Sequence, residues 1–595
     1  LAFTSGCFSG ACHNTGYQSE MISAAGTIPA LINLLKGSKM KLLCKTAGLL
    51  SNISTHANVV HAIVEAGGIP VLISLLVSEE PELHSHCAVI LYDIAQLENK
   101  EVIAKHNGIP TLINLLKLDI ENVLVNVMNC IRVLCMGNES NQRAVRDHKG
   151  MQYLINFLSS SSDLLKAVAS ATIAEVARDN KEVQNALAAE GVIPPLVALF
   201  KGKQLSVQVK GAMAVEALAS YNPSIQRAFL ENSLSKYLLK LLKAFEISVK
   251  EQGAVALWAL AGQTLKQQKY MAEQIGYNFI INMLLSPSAK MQYVGGEAVI
   301  ALSKDSRLHQ NQICEGNGIA PLVRLLRISK LAEGTLLSVI RAVGSMCIGV
   351  AHTSNPISQQ FMVEENAFPV LIQLLRSHPS LSIKDIRLRA GYALTLFAFN
   401  DVFQQYLILE NGIMTLSIFE PFLESTIETE KAMAAFQIII LAKVIIDVDH
   451  ITLSSRGVTI LIDSLYSLQS TTIVLTGNLI ASLAHSRAGI PAAFASLGTV
   501  QRLCYHLYSG KEEVRTACSC ALGYLTYNAI AFRILLSECR NKPNQFLRII
   551  NSISRDASIN PAFLKEFRMQ QKVGLPSLSL EKNGGPCINL LSRKG

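Results

Sequence analysis

Gly68-Ile69-Pro70-Val71-Leu72-Ile73-Ser74-Leu75-Leu76 decides the fold, because the phrase keeps returning along the chain. It stands at residues 26–35 as Gly-Thr-Ile-Pro-Ala-Leu-Ile-Asn-Leu-Leu and at 108–116 as Gly-Ile-Pro-Thr-Leu-Ile-Asn-Leu-Leu. It returns at 191–200 as Gly-Val-Ile-Pro-Pro-Leu-Val-Ala-Leu-Phe and at 318–326 as Gly-Ile-Ala-Pro-Leu-Val-Arg-Leu-Leu. Weaker copies start near Gly150, Ser235, Gly276, Ala367, Gly412, Gly457 and Gly498. The glycine is expected to close one helix in a left-handed conformation, and the proline to open the next in its first turn.

About fifteen residues after each start a second helical pattern follows. It can be indexed on one column, called here the ladder position: Asn52, Asp93, Val133, Glu175, Ala217, Ala259, Ala301, Ser345, Leu396, Ile440, Ser482 and Tyr524. Successive members stand 40–44 residues apart, with a single gap of 51 before Leu396. Two residues before the ladder every copy is apolar, from Leu50, Leu91, Ile131, Ile173, Val215 and Leu257 onward, and one residue after it every copy is apolar again. Five residues before it ten of the twelve copies are small, among them Ala47, Ala212, Ala254, Gly296 and Gly477. Columns spaced by three share one helical stripe, and small residues on it let a neighbouring helix approach closely. Each unit therefore reads as a short helix (Ala57–Glu65 is one), a glycine turn, the Ile-Pro helix and a longer ladder helix.

Composition fits an aliphatic helical stack. Of 595 residues 50% are hydrophobic, 6% aromatic with one Trp, and 16% charged, against roughly 25% charged in an ordinary soluble domain. The net charge of +9 is spread thinly, without the basic stripe and stacking aromatics of a nucleic-acid binder, so no nucleic-acid partner is expected. Thirteen cysteines lie without paired spacing and mostly in apolar helical runs, which reads as free thiols in a reducing compartment, the cytoplasm. The most apolar run, 432–446, is shorter than the roughly 20 residues of a membrane span and holds Gln437 and Lys443, so it reads as a buried repeat helix. The extra residues before Leu396 are placed in loops around 347–359 and 378–383. Residues 1–20 form an irregular stretch without a secretory pattern, the repeats fill 21–560, and 561–595 reads as a flexible tail. The chain opens on Leu1 instead of Met, which suggests a fragment of a longer product.

A three-helix unit of about 42 residues with a Gly-Ile-Pro start resembles the armadillo-repeat family. The resemblance implies an all-α fold: an armadillo-type right-handed superhelical solenoid of about twelve three-helix repeats. It also implies a groove lined by the ladder helices that receives extended segments of partner proteins. Nuclear-import members of the family carry Asn at the ladder position and Trp one turn earlier. Here only Asn52 keeps the Asn, with Asp93 as a near substitute, and one turn earlier stand Gly48, Val89, Asn129, Ala171, Met213, Val255, Glu297 and Arg341. The basic-peptide cradle of those members is thus not expected. A second family reading is membrane tethering of the kind seen in vacuolar armadillo proteins, which needs an acylated N-terminus.

Catalytic signatures are missing from the sequence: no GxxxxGK[ST], no HExxH and no GxSxG. An enzyme is not expected, nor a cofactor. His84-Ser85-His86-Cys87 has the residue types of a metal site, but at i, i+2 and i+3 on a helix the side chains diverge. Cys7, Cys12 and His13 lack further ligands nearby, and Asp447-Val448-Asp449-His450 reads as a hydrated turn after a ladder helix. Lys45, Lys210 and Arg389 stand seven residues before the ladder and Arg341 four before it, all on one helix face. With Asn52 and Asp93 they form the candidate protein-binding groove. Two readings stay open: a solvated basic face, or scattered cations that hold an acidic or phosphorylated segment.

Overall fold

The computed structural model describes residues 26–572, except 305, 329, 348–354, 377–383, 487–488, 543 and 555–556. The expected irregular stretch 1–20 lies outside the described residues, as does most of both expected insertions. Among the described residues helix is the only repeating structure, and β pairing is limited to one isolated parallel bridge, Met414 with Ile445.

The chain divides into two compact units, Leu1–Ile275 and Gly276–Gly595. In the first, the ladder helices are Met40–Ile53, Pro81–Gln96, Glu121–Cys135, Asp163–Ala177, Leu205–Ala219 and Ile247–Ala261, each packed on the next. In the second they are Ala289–Ser303, Glu333–Ser345, Lys384–Ala398, Glu428–Ile440, Ser470–Leu483 and Glu512–Leu525, again consecutively packed. The repeat period explains this order: each unit's apolar stripe is too wide to cover alone, and stacking a neighbour covers it. The column two residues before the ladder is 0% exposed at all twelve positions, from Leu50 to Leu522. The small column marks where helices cross. A Cβ added at Gly296 would stand 2.5 Å from Ser338 Oγ, and one at Gly477 would stand 3.2 Å from Ala517 Cβ.

The glycine of the Gly-Ile-Pro start works differently from the expectation. At Gly318 the backbone is helical (φ −78°), and the left-handed residue is the one before it, Asn317. Gly67, Asn107 and Lys149 play that part ahead of Gly68, Gly108 and Gly150. Gly68 is needed for room: an added Cβ would lie 2.6 Å from Ile63 Cγ2 and 2.8 Å from the Ile63 carbonyl. At Gly26 and Gly191, where one residue separates Gly from Ile-Pro, the glycine itself is left-handed, as are Gly489 before Ile490-Pro491 and Gly498.

Two further expectations change. The apolar run 432–446 is not one helix: the ladder helix ends at Ile440, Val444 and Ile445 turn inward, and Ile446 donates to the Met414 carbonyl at 3.1 Å. The β-branched residues 444–446 suit this extended bridge better than a helix. Asp447 and Asp449 stand exposed in a turn, as expected, and both also bond to backbone amides. Asp447 accepts from the Leu416 amide (2.9 Å), and Asp449 caps the helix His450–Ser464 through the Ile451 and Thr452 amides. This repeat consequently lacks a short first helix. At the C-terminal end, Pro561–Lys572 is a helix inside the stretch read as tail, with Phe563 and Phe567 buried in the core.

Candidate functional site

The ladder helices each expose the side opposite their buried stripe. Lys45 and Asn52 are exposed on Met40–Ile53, and Lys210 is exposed on Leu205–Ala219 with its Nζ 3.8 Å from Met213 Sδ. Lys45 and Lys210 occupy the same register in their repeats and have no carboxylate within 4.0 Å among the described residues. Arg389, in the second unit, is half-buried and likewise unpaired with any described acid.

Arg341 differs. Its guanidinium is exposed but pairs with Glu297 Oε1 at 3.1 Å, from the same column one repeat earlier. Asp93 is half-buried and accepts a hydrogen bond from Ser54 Oγ at 2.5 Å. Burial pushes its carboxyl above the usual aspartate range, and the Ser54 hydroxyl opposes that shift. Beside it, Ser51 Oγ and His86 Nδ1 are 3.0 Å apart, so consecutive ladder helices are joined by polar pairs.

The ladder column itself is mostly closed. Val133, Glu175, Ala217, Ala301, Leu396, Ser482 and Tyr524 are buried, and only Asn52 among the twelve is exposed. Acids also share this face more than the sequence suggests. Glu175 and Glu216 are bridged by Arg178 (3.3 and 3.5 Å), and Gln252 donates to Glu216 at 2.9 Å. The candidate residues are thus brought onto one face within each unit, but as separate polar patches.

Two features escape sequence reasoning. Trp258, the one Trp, is half-buried on the ladder helix Ile247–Ala261, beside ladder residue Ala259. A buried amide network also runs between the short first helices. Asn180 Nδ2 donates to Gln142 Oε1 (3.0 Å) and Asn222 Nδ2 to Gln184 Oε1 (3.1 Å). Gln142 and Gln184 in turn donate to the carbonyls of Glu175 and Ala217 at the ends of the ladder helices, each at 2.9 Å. The signal is present as Asn-x-x-x-Gln at 138, 180, 222 and 355.

His84 Nε2 faces the Ser78 carbonyl at 2.7 Å while His86 turns to Ser51, so the two imidazoles serve separate local contacts. No group of three or more metal-ligating side chains occurs among the described residues. The described cysteines are free and all but Cys520 buried. Burial pushes the Cys314 thiol up to about 11 and Cys504 and Cys518 up to about 12, which keeps them protonated and unreactive. No single helix among the described residues is long and apolar enough to cross a membrane.

Stacked three-helix units with a Gly-Ile-Pro start and a buried ladder stripe define the class: the chain is an armadillo-repeat protein. A family model described as Armadillo/beta-catenin-like repeat matches residues 17–55. The chain is similar to the ankyrin and armadillo repeat-containing protein of Homo sapiens, 78% identical over 96% of this chain and 43% of that protein. The corresponding Mus musculus protein is 72% identical over 97% of this chain and 42% of that one. The chain therefore spans less than half the length of these relatives. Among solved structures, the crystal structure of an engineered protein shares the fold, with a TM-score of 0.57 and 23% identity over 70% of this chain and 98% of that one.

Proposed function

We propose that this chain is a non-enzymatic scaffold that holds extended segments of partner proteins across its ladder helices. One observation carries the reading: Lys45 and Lys210 stand exposed at the same register of their repeats, on helices whose opposite stripe is fully buried. An extended segment crossing successive helices meets that register about every 10 Å, roughly three residues of chain. Aliphatic and aromatic surface, half-buried at Met213 on the helix of Lys210 and at Val255 and Trp258 on the next ladder helix, supplies apolar contact between the polar patches. The unpaired cations Lys45, Lys210 and Arg389 favour an acidic or phosphorylated segment. Arg341 contributes less, because Glu297 already shares its charge. The buried free thiols favour a reducing compartment, the cytoplasm.

Photo-crosslinking tests this reading. A benzophenone amino acid replaces Asn52 or Lys210 on the ladder face, or Glu65 on a short first helix, in the full chain. Partner adducts are expected at Asn52 and Lys210 and not at Glu65. Adducts at Glu65 alone would place binding elsewhere and contradict the proposal.

A further inference from the structure

Away from the ladder helices, the second unit carries tyrosine and arginine stacked across three consecutive repeats. Tyr466 follows the helix His450–Ser464, Tyr505 lies in the last turn of the helix Thr499–His506 with Tyr508 in the turn after it, and Arg548 lies in Asn544–Ser552. The Arg502 guanidinium lies 4.0 Å from the Tyr466 ring centre and 4.7 Å from that of Tyr505. Arg548 lies 4.1 Å from the Tyr508 ring, and the Tyr508 hydroxyl donates to Gln545 Oε1 at 3.0 Å. The stack is held in place but open to solvent: the three tyrosines are 60%, 65% and 48% exposed, and Leu468 beside Tyr466 is fully exposed.

Charge on this strip is unbalanced. Among the described residues no carboxylate lies within 4.0 Å of Arg502 or Arg548. Arg502 spends its Nε–H on the Leu465 carbonyl (3.2 Å), leaving both terminal nitrogens for an end-on carboxylate. Stacking covers the guanidinium faces and leaves in-plane N–H groups free, which prepares a bidentate donor site for a carboxylate. Exposed Tyr and fixed Arg are also the residue types that dominate binding energy at protein interfaces.

We propose that this strip binds an acidic linear segment of a partner protein in polyproline-II conformation, with carboxylates three residues apart. The spacing follows from the fold. Arg502 and Arg548 sit near the same position of adjacent second helices, whose axes are separated by about 10 Å. A polyproline-II segment repeats its face every three residues and about 9 Å, so residues i and i+3 reach the two guanidiniums together. The intervening turn rests on the tyrosine rings, as proline-rich ligands do on aromatic-lined grooves. A nucleic-acid strand fits less well, because Arg502 already fills the space between two of the rings.

The test is an array of immobilised proline- and serine-rich peptides bearing two glutamates at separations of one to six residues, probed with the full chain. The best peptide is then titrated in solution as a fluorescein conjugate. Binding should peak at a separation of three and fall by about tenfold or more when Arg502→Lys and Arg548→Lys are combined, since charge is kept but the planar fork is lost. Arg548→Ala alone should weaken binding as well, and being a surface change it leaves an interpretable result if the double variant unfolds. A response independent of glutamate spacing overturns the proposal, and so does full binding by the lysine variant. Preference for phosphatidylserine vesicles or a single-stranded oligonucleotide over every peptide in the array would also overturn it.

Discussion

Asn180 and Gln142, 38 residues apart, share a buried hydrogen bond of 3.0 Å between the short first helices of adjacent repeats. Both residues also work within their own repeats: Asn180 caps its helix through the Val183 amide, and Gln142 donates to a carbonyl of the neighbouring ladder helix. The next pair, Asn222 and Gln184, repeats the bond between helices and the contact to a ladder-helix carbonyl, but Asn222 makes no side-chain cap. Replacing Gln184 by Leu should strand the Ala217 carbonyl and take one of the two acceptors from the Asn222 amide, which keeps Asn185 Oδ1 at 2.9 Å. We expect a loss of about 1–3 kcal/mol, read from urea unfolding, and a loss below that range would mean water replaces the amide.

The paired glycines of a repeat start should respond differently to substitution. Gly68→Ala drives a methyl into the Ile63 carbonyl and should cost about 1–3 kcal/mol. Gly67→Asn should be nearly neutral, because Asn107 and Asn317 already hold the equivalent left-handed position. Thermal melts of the two variants check this, and equal losses would contradict the division of labour.

Close crossing of ladder helices predicts a third pattern. Ala212→Leu or Ala254→Leu, both at fully buried positions, should overpack the stack and cost about 1–3 kcal/mol. Lys201→Ala, in an exposed turn, should leave the melting curve unchanged. Tolerance of leucine at both alanines would mean the helices can separate without penalty.

Asp93 gives a pH-dependent expectation. Burial raises its folded-state pKa above the unfolded value, so its ionised form destabilises the fold at neutral pH. That penalty is complete above the folded pKa and fades as pH falls through it toward the ordinary aspartate range. Asp93→Asn, which can still accept from Ser54, should therefore be more stable than the parent at pH 7. The difference should shrink on acidification. A variant less stable at pH 7 would show that the charge itself is needed.

Much of the fold was legible because one physical requirement, burial of the ladder stripe, repeats every 42 residues or so. Leu50, Leu91 and their successors could only face the core. The amide network was written at the same period, but its meaning depends on a partner in the next repeat, which a single unit does not reveal. Glu297 and Arg341 sat in one column and still read as separate charges for the same reason. Residues 441–446 misled because apolar content alone does not distinguish a buried helix from a short extended bridge. Of the candidate site, the exposure of Lys45 and Lys210 followed from the helical stripe, whereas Asn52 is exposed in a column that is otherwise mostly closed. The half-burial of Asp93 and Arg389 depended on neighbours the pattern does not specify.

The most direct test of the scaffold reading is charge reversal on the ladder face. Lys45→Glu with Lys210→Glu is compared with Lys201→Glu and Lys203→Glu in a turn, so that net charge changes equally. The readout is affinity of the full chain for a fluorescein-labelled, extended Glu- and Ser-rich peptide at constant salt. The account predicts that the ladder-face pair weakens binding by about tenfold or more with little change in melting temperature, while the turn pair leaves it nearly intact. Equal loss from both pairs, or none from the ladder-face pair, would contradict it.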